Sequence, residues 1–442
     1  MSTDARRLQI IIVGAGLGGL SAALFLREHH DVTILERSVE PFPDDYGISV
    51  VANAYGLLQK RGVNEENFPH CILNHMRLRD KDNKSIADVM FDTRRTVGAP
   101  SIFAKRSALA AEITRLATDP SLPGTPTSII RGARVVGVDV SKAEVVMSDG
   151  QKYSGDVLIG ADGINSLVRT AVIEHHRAAG SSFASGPEDW QPRASGVIAY
   201  VSAVPREVFD ADPDLQFQAE IDNSAGLTTS YGAAGMGSKT RVLIYPISKT
   251  HFQVVGYHPE EAWADEFNKT KSSIIKSVST ERAVEDFTDF HPSIKKLFSV
   301  TFELSSPDVW RIRDLAPLPT WSAGRAMLIG DAAHAATPHT GHGANMAMED
   351  GEALGYILRD ITGPLLDSPE KLDATIKERF SVFESIRVTR SQYVQKAALL
   401  AGGLLPPSEG RFNPQLFSRT MHYYAGAEAV INSPATQPSY DI

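Results

Sequence analysis

The chain has 442 residues, of which 42% are hydrophobic and 22% are charged, a balance that is typical of folded globular proteins. This composition excludes a disordered chain, a collagen-like fibre and a coiled coil. The formal net charge of −9 argues against a nucleic-acid binder, because such proteins usually carry an excess of basic residues.

The sequence offers no candidate for a membrane-spanning or exported segment. No apolar run reaches the roughly 18 to 20 residues that a membrane span needs, and the nearest one, residues 8–26, is interrupted by glycines. The single cysteine, Cys71, rules out an intrachain disulfide and favours a reducing compartment. We therefore expect a cytoplasmic protein without a membrane span.

The first elements have the pattern of a strand–helix–strand unit. Residues 8–13 form a β-branched apolar run, residues 17–28 carry leucines at helical spacing, and residues 32–35 form a second apolar run. Buried parallel strands have this character. The order and length of the three segments predict the opening βαβ unit of a Rossmann-like domain.

A glycine pattern, G-x-G-x-x-G, lies between the first strand and the helix. Gly14 permits a tight turn, Gly16 lets the backbone approach a pyrophosphate, and Gly19 allows close packing of helix on strand. Glu36 stands at the end of the second strand, where its carboxylate can accept hydrogen bonds from ribose hydroxyls, and Arg37 follows it. The pattern predicts a dinucleotide site but does not distinguish FAD from NAD.

The predicted secondary structure of the middle of the chain changes from mixed helix and strand to a loop, and then to a strand-rich stretch. A helix is expected over 106–117, and strands over 133–160 lead into a strand–turn–helix segment at 160–169, where Asn165 or Ser166 can cap the helix. A linker or loop is expected at 176–194, followed by a strand-rich stretch to 257 that indicates an antiparallel sheet. Further helices are expected over 259–298, 344–360 and 372–400, and an irregular, exposed tail after residue 406.

A third motif follows a buried strand near residue 329. Asp331 ends that strand, so its carboxylate can meet ligand hydroxyls at a sheet edge. Pro338 and the glycines Gly341 and Gly343 then bring backbone close to a flat ligand. The helix that begins near Ala344 points its amides at that ligand, and a helix N-terminus stabilises the negative charge of a reduced flavin.

Three histidines in this motif, His334, His339 and His342, raise the question of a metal site. No cysteine joins them, and their spacing is not the i, i+4 pair of zinc proteases. We therefore interpret them as side chains of a loop that serves a flat cofactor, and we predict no metal.

Together the three motifs resemble the FAD-dependent aromatic hydroxylases, the single-component monooxygenases of the p-hydroxybenzoate and salicylate hydroxylase type. The order GAGLGG, GADGINSLVR and LIGDAAHAATPHTGHGANMAMED carries the resemblance, which runs from about residue 8 to about residue 400. It implies FAD as cofactor, NADPH or NADH as co-substrate, molecular oxygen, and an aromatic or apolar small-molecule substrate. It also implies hydroxylation or epoxidation through a flavin hydroperoxide. We expect a monomer or a homodimer, and the sequence does not decide between them.

The resemblance also implies roles for individual residues. Gly14, Gly16, Gly19 and Glu36 would hold the ADP half of FAD, and Asp331 its ribityl chain. Arg106 matches an arginine that reaches the cofactor, and Asp162 matches an acidic residue near FAD and NAD(P)H. Gly47 lies in the loop that passes the flavin. The helix start beneath the flavin ring corresponds to three residues: Gly343, Ala344 and Asn345.

Tyr245, which precedes Pro246, is the catalytic candidate. It resembles a tyrosine that fungal phenol hydroxylases use at the substrate, where a base would help to ionise a phenol; the other interpretation is a core tyrosine on a strand. Two departures from the family matter. Val201 follows Tyr200 where many members carry an arginine, which favours a neutral or larger apolar substrate, and His342 occupies a position that is more often Gln, Leu or Ala.

The predicted fold class is α/β, a Rossmann-like FAD-binding domain with an inserted antiparallel-sheet substrate domain and C-terminal helices. Residues 1–175 and 300–365 are assigned to the FAD-binding domain, 176–299 to the substrate domain, and 366–442 to a C-terminal helix and tail. Two alternatives remain open for the function. One is a flavoprotein oxidase, dehydrogenase or halogenase, and the other is a non-catalytic FAD-binding protein.

Overall fold

The computed structural model describes residues 6–41, 46–180, 190–215, 226–270, 272–304, 307–363, 368–422, 424, 426–432 and 440. Its strands are β1 (Gln9–Val13), β2 (Asp31–Glu36), β3 (Gly47–Val50), β4 (His70–Ile72), β5 (His75–Arg79), β6 (Ser85–Met90), β7 (Ile102–Lys105), β8 (Ser128–Arg131), β9 (Val135–Asp139), β10 (Glu144–Met147), β11 (Lys152–Ser154), β12 (Val157–Gly160), β13 (Arg193–Pro205), β14 (Gly226–Tyr231), β15 (Arg241–Pro246), β16 (His251–Pro259), β17 (Ile274–Ile275), β18 (Val309–Asp314), β19 (Ser322–Ala323) and β20 (Ala326–Leu328).

The helices follow the same numbering along the chain. They are α1 (Leu17–Leu26), α2 (Ala52–Gln59), α3 (Thr93–Val97), α4 (Arg106–Thr118), α5 (Leu167–Ala178), α6 (Arg206–Ala211), α7 (Ala264–Thr270), α8 (Thr280–Glu285), α9 (Pro292–Leu304), α10 (Asp331–His334), α11 (Gly343–Leu358), α12 (Pro369–Ala401), α13 (Pro414–His422) and α14 (Ala427–Asn432). None of these helices combines the length and the apolar character that crossing a bilayer requires.

A six-stranded sheet forms the first layer, in the order β19-β20-β12-β1-β2-β8. All its pairs are parallel except β19 with β20. The apolar runs of β1 and β12 are buried along almost their whole length because helices cover the sheet. The Rossmann-like α/β class that the sequence predicts is confirmed.

An eight-stranded sheet forms the second layer, in the order β17-β18-β13-β16-β15-β14-β5-β6. Its pairs are antiparallel except β14 with β5. The strands β5 and β6 come from the part of the chain before residue 175, so this sheet draws on more than the inserted segment. One face packs on helices α7 to α9 through an aromatic cluster that includes Tyr200, Phe287 and Phe298.

The other face of this sheet is turned away from that cluster, because side chains alternate along a strand. On β15, Val242 and Ile244 belong to the aromatic core, whereas Leu243 and Tyr245 lie on the opposite face with Tyr257 of β16. Tyr245 also packs on Phe103 of β7, beside the first layer. This face is therefore the one that meets the Rossmann-like part of the molecule.

The C-terminal part differs from the expected irregular tail. Helices α13 and α14 lie beyond residue 406, and Phe417 and Met421 of α13 are buried against Tyr393 of α12. Tyr424 donates a hydrogen bond to Glu352 at 3.0 Å. The expectation was wrong because Phe417 and Met421 bury apolar side chains against α11 and α12, so this segment folds into short helices and not into an exposed tail.

Two other expectations need comment. The stretch 259–298 is helical only in parts, because β17 and a turn with Ser277 at φ 53° interrupt it. The expected linker at 176–194 falls largely on residues 181–189, which lie outside the described residues.

Candidate active site

The ends of four parallel strands meet at one edge of the six-stranded sheet. Val13 of β1 is paired with Leu35 of β2 on one side and with Gly160 of β12 on the other, and Gly160 is paired with Leu328 of β20. The residues that follow these positions are those singled out from the sequence. The sheet register therefore brings together Gly14, Glu36, Asp162 and Asp331.

The three motif glycines differ in what surrounds them. Gly14 has φ +105°, and a Cβ there would lie 2.4 Å from the carbonyl oxygen of Ala161. A Cβ on Gly19 would lie 2.0 Å from the carbonyl oxygen of Gly14, so α1 packs directly on the turn. Gly16 is the N-cap of α1, and a Cβ added there would meet no atom within 4 Å. Open space therefore lies in front of the helix N-terminus.

Glu36 closes the turn from the neighbouring strand. Its carboxylate accepts a hydrogen bond from the backbone N–H of Ala15 at 2.7 Å and another from Ser38 at 2.8 Å. Each carboxylate oxygen keeps a second acceptor position, so Glu36 can still receive sugar hydroxyls. Arg37 is exposed at the same corner.

Helices α1 and α11 lie side by side and run in the same direction. Gly18 faces Ala347, and Cβ atoms added at Gly351 and Gly355 would collide with Ser21–Ala22 and with Phe25, respectively. The residue numbers of the contacting pairs increase along both helices together, which shows that the two helices are parallel. Both N-termini therefore open on the same sheet edge, where their free N–H groups and partial positive charge favour a negative ligand.

The loop before α11 is held by the side chain of Asn345. This fully buried amide donates to the carbonyl oxygens of Ser49 and Gly341 and accepts from the N–H of Val51 at 2.9 Å. Because the Asn345 side chain is used in this way, only its backbone N–H can face a ligand. Gly341 has φ +67° and lies against Ser49.

Two further residues of this loop are open to the cleft. Pro338 is exposed. A Cβ on Gly343 would meet no atom within 4 Å, so backbone is accessible at the first turn of α11, where Ala344 is half-buried. The structure thus brings the predicted loop and the helix start to the edge that carries Gly16.

Asp331 lies at the same sheet edge, three residues after the end of β20. Its side chain is accessible to solvent, yet the surrounding protein raises its pKa, with burial as the main cause. Both observations hold for a carboxylate that faces a deep opening. Electrostatic interactions with His334, Arg106 and Arg169 act in the opposite direction and lower the pKa of Asp331.

Asp162 has a structural task at the neighbouring strand end. Its carboxylate accepts hydrogen bonds from the Ser166 hydroxyl at 2.5 Å and the Leu167 N–H at 2.7 Å, and burial raises its pKa. Ser166 in turn caps α5 by accepting from the Arg169 N–H. Asp162 therefore organises the turn, and its predicted contact with a cofactor stays a prediction.

Gly47, predicted to lie in the loop that passes the flavin, is in contact with Tyr245, the catalytic candidate. The Tyr245 hydroxyl donates to the Gly47 carbonyl oxygen at 3.3 Å, and the Gly47 N–H donates to Gln253 at 2.8 Å. Burial and Tyr257 raise the pKa of Tyr245 well above its usual value. A protonated phenol that donates to a carbonyl is not arranged as a base, so a positioning role fits these contacts better.

The three histidines of the last motif serve different neighbours. His334 is buried and bonds Asp350 at 2.6 Å, the His342 ring bonds the carbonyl oxygen of Thr340, and His339 packs edge-on against Tyr257. Within the described ranges, no group of three or more His, Cys, Asp or Glu side chains has the arrangement of a metal site.

Two residues of the site were missed in the sequence. Arg169 is fully buried, and its guanidinium donates to the carbonyl oxygens of Ala332 at 3.1 Å and Ile164 at 2.7 Å. It therefore ties the middle motif to the Asp331 turn. Gln253 holds Gly47 and also donates to Ser202. Arg169 was visible at the end of the middle motif, whereas Gln253 had no signal because it looks like a strand residue.

The donor set fits FAD. Open backbone lies at two helix N-termini for negative charge, and carboxylates stand at both ends of the edge for sugar and ribityl hydroxyls. The sequence matches the FAD binding domain family over residues 7–186 and 225–380. The chain belongs to this family.

Relatives with assigned names support the same conclusion. The chain is 28% identical to hispidin-3-hydroxylase of Neonothopanus nambi, with 89% of this chain and 88% of the relative covered. It is 26% identical to a salicylate hydroxylase of Pseudomonas putida, with 91% and 87% covered. The FAD-dependent monooxygenase atnJ of Arthrinium is 27% identical, with 89% and 84% covered.

The fold is also that of a solved structure, CtdE in complex with FAD and its substrate 4. The TM-score is 0.75 at 19% sequence identity, with 97% of this chain and 98% of CtdE covered. The predicted family is confirmed. The protein is an FAD-dependent monooxygenase, with FAD as cofactor and NAD(P)H as electron donor.

Proposed function

We propose that this monooxygenase hydroxylates an electron-rich aromatic ring bound between the loop 338–343 and the sheet face that carries Tyr245. The observation that carries the proposal is the meeting of Glu36, Asp331 and two helix N-termini at one edge. The aromatic-lined face contacts the loop 338–343 through the rings of Tyr257 and His339. Relatives whose names refer to hispidin and salicylate support a small aromatic substrate.

The first half of the edge is proposed to hold the ADP part of FAD. Gly14 and Gly19 shape the turn, Gly16 leaves room for the pyrophosphate at the N-terminus of α1, and Glu36 accepts the ribose hydroxyls. Exposed Arg37 borders the adenosine side.

The second half is proposed to hold the ribityl chain and the ring system. Asp331 accepts ribityl hydroxyls, while Arg106, at the first turn of α4, approaches from β7. The backbone of Pro338, Gly341 and Gly343 borders the flat ring. The first N–H groups of α11, from Gly343, Ala344 and Asn345, face its electron-accepting end. Asp162 contributes by holding the turn between the two halves.

When bound, FAD supplies the chemistry, which is transfer of electrons from NAD(P)H and activation of oxygen. The chain positions the reacting groups and excludes water from them. Gln253 and Tyr245 fix Gly47 against the second sheet, and the aromatic face with Phe103, Tyr245 and Tyr257 excludes water from the substrate. Tyr245 acts here by packing and by its bond to Gly47.

The proposal is tested by tracing oxygen. The FAD-loaded enzyme, given NAD(P)H and a panel of phenols, is expected to consume NAD(P)H faster with a true substrate. Under ¹⁸O₂ the product should gain one labelled oxygen atom, and under H₂¹⁸O with ordinary oxygen it should gain none. A product that gains no label from ¹⁸O₂, with all consumed oxygen recovered as hydrogen peroxide, would favour an oxidase instead. An unlabelled product formed without oxygen consumption would favour a dehydrogenase.

The oligomeric state and the compartment belong to the proposal as well. We expect a monomer or homodimer. We also expect a reducing cytoplasm, which the single cysteine, Cys71, supports because it can form no intrachain disulfide. Light scattering of the FAD-loaded protein distinguishes the two assembly states.

A further inference from the structure

The turn that follows α12 packs on the loop 338–343. Gly402 ends α12 as its C-cap, and a Cβ added there would lie 2.2 Å from the His339 ring. Glycine at this position therefore lets the helix end and the His339 side chain approach each other. Leu404, two residues later, packs on the sheet face that carries Tyr245. This turn thus contacts the loop and the proposed substrate face together.

Helix α13 contacts the same loop near its other end. The rings of Phe417 and His342 meet edge-on, with 4.7 Å between their centroids. His342 is the N-cap of α11, and its carbonyl oxygen accepts a hydrogen bond from the N–H of Met346 at 2.9 Å. Because the N-cap residue sets where a helix begins, the Phe417 ring lies against the residue that fixes the first turn of α11.

Phe417 is held in place from behind by α12. Its side chain is buried, stacks on Tyr393 with 5.8 Å between ring centroids and packs on Phe412 at 5.5 Å. The backbone of α13 is fixed as well, because Arg390 donates to the carbonyl oxygen of Met421 at 2.9 Å. The contact with His342 is therefore part of a packed cluster and not the touch of an isolated surface side chain.

The loop depends on such contacts because glycines flank His342 on both sides. Gly341 has φ +67°, and glycine restricts the backbone less than any other residue. From one side, the Asn345 amide donates to the carbonyl oxygen of Gly341 at 2.9 Å. From the other side, Phe417 packs on the His342 ring. The start of α11 is thus fixed between its own first turn and the C-terminal segment.

The position of this helix start matters for the charge of a bound flavin. The attraction between a helix N-terminus and a negative charge falls off within the first turn, so a small displacement of that turn changes it. In the proposed function, reduced flavin carries its negative charge at the end that faces α11, whereas oxidised flavin is neutral. A fixed first turn therefore favours binding of the reduced form over the oxidised form.

We propose that residues 402–421 form a C-terminal clamp that holds the loop 338–343 and so raises the reduction potential of bound FAD, with Phe417 as a positioning residue. This inference rests on the proposed function, because it takes the flavin ring to lie at the N-terminus of α11. The clamp lies beyond residue 380, where the match to the FAD binding domain family ends. It therefore gives a cofactor-directed role to a part of the chain outside that match.

The test measures the two-electron midpoint potential of the FAD-loaded protein by anaerobic titration with a redox dye. In Phe417→Ala the affinity for reduced FAD, relative to that for oxidised FAD, should fall about five- to tenfold, because the first turn of α11 loses its support. This change lowers the midpoint potential by roughly 20–30 mV. Phe417→Leu keeps an apolar side chain without the ring, and its potential should lie between those of Phe417→Ala and wild type.

A second variant changes the other contact of the clamp. In Gly402→Ala the new methyl group would overlap the His339 ring, so the loop has to move. The backbone at position 402 is helical, with φ −79°, so alanine itself is tolerated there. The midpoint potential of Gly402→Ala should therefore fall in the same direction as that of Phe417→Ala. This variant decides the matter if Phe417→Ala does not fold.

Two control variants separate the clamp from general packing. Leu416→Ala changes the neighbouring residue of α13, which is 43% exposed, and should keep the wild-type potential. Val430→Ala removes buried apolar volume from α14, outside the clamp. It should lower the temperature of thermal unfolding and leave the potential unchanged.

The outcomes are separable from the proposed function. A folded, FAD-loaded Phe417→Ala or Gly402→Ala with the wild-type potential overturns the inference, while oxygen transfer to the substrate would still stand. An equal fall of the potential in Val430→Ala also overturns it, because loss of stability would then account for the effect. Failure of the wild-type protein to bind FAD would instead contradict the proposed function.

Discussion

At Gly19 an added Cβ would lie 2.0 Å from a carbonyl oxygen, whereas at Gly16, three residues earlier, it would meet no atom within 4 Å. Gly16 has φ −70° and ψ 176°, a conformation that any residue adopts. The fold itself therefore requires glycine at position 19. At position 16 the fold would accept another residue, so a need for glycine there would come from the ligand.

Gly16→Ala is expected to keep the free energy of unfolding of the FAD-free protein within about 1 kcal/mol of wild type, because the new methyl group touches nothing. FAD affinity should fall about tenfold or more, because the methyl group occupies the approach of the pyrophosphate. Urea unfolding and flavin fluorescence titration measure the two effects. Gly237→Ala, also in open space, is the control, and equal FAD affinity in both variants would contradict this role.

At the residue scale, the sequence allowed prediction of those site residues that belong to recognisable motifs. The glycines, Glu36 and Asp331 stand where a strand end can be recognised from its apolar run. Gln253 could not be found, since its importance comes from which strand face it occupies and which loop reaches it. That information lies in strand pairing, not in local spacing.

At the scale of elements, the parallel pair α1 and α11 aims two helix N-termini at one site. The far ends of the two helices are joined as well, because His30, after α1, donates from Nε2 to the carbonyl oxygen of Leu358 at 3.0 Å. His30 is fully buried. Burial lowers its pKa to about 4, against an opposing effect of the bond to Leu358.

This pKa shift predicts acid sensitivity. In the unfolded chain His30 becomes protonated below about pH 6.5, whereas in the folded protein it stays neutral down to about pH 4. Stability should therefore fall by up to about 3 kcal/mol across that window. His30→Gln keeps a donor without titrating, so urea unfolding at several pH values should show a shallower loss. His29→Gln, at a partly exposed position, should keep the wild-type slope, and a steep slope in His30→Gln would contradict the assignment.

Most elements could be predicted from periodicity. The strands β1, β2, β12 and β20 and the helices α1, α4, α11 and α12 appear within a few residues of their expected bounds, whereas β8 and β19, at the two edges of the same sheet, were not predicted. The C-terminal helices α13 and α14 could not, because each is short and preceded by proline or glycine. Their stability comes from burial of Phe417 and Met421 against α12, which is tertiary packing that local patterns do not express.

At the scale of the whole molecule, a buried charge network joins the two long helices to the C-terminal segment. Arg387 donates to Glu349 at 2.7 Å and to Asp350 at 2.8 Å, and Arg390 bonds Glu349 and the carbonyl oxygen of Met421. Burial acts to raise the pKa of Asp350, but His334 and Arg387 outweigh it and hold the pKa at about 2. The network lies directly behind the site, since Asp350 also accepts from the N–H of Gly330.

Arg387→Met should lower the free energy of unfolding by about 3–5 kcal/mol, because it removes the one cation that bonds both buried carboxylates, Glu349 and Asp350. Arg379→Met, on the same helix at a partly exposed position, should have little effect. Urea unfolding of both variants measures the difference. A loss below about 1 kcal/mol in Arg387→Met would show that the network is not needed for stability.

The sequence indicated the class of fold and the cofactor at this scale, but not how the two layers meet. Strands β5 and β6 join the second sheet from the first part of the chain through the parallel pairing of β14 with β5. Such a crossing depends on contacts between residues far apart in sequence, for which composition and spacing carry no signal.

The central claim is that one edge of the six-stranded sheet binds the whole of FAD. A crystal structure of the FAD-loaded protein tests it most directly. We predict that the adenosine ribose lies on Glu36, the pyrophosphate at Gly16, the ribityl chain on Asp331 and the ring at the N-terminus of α11. Density for FAD that leaves Asp331 or Gly16 without contact to the cofactor would contradict the account.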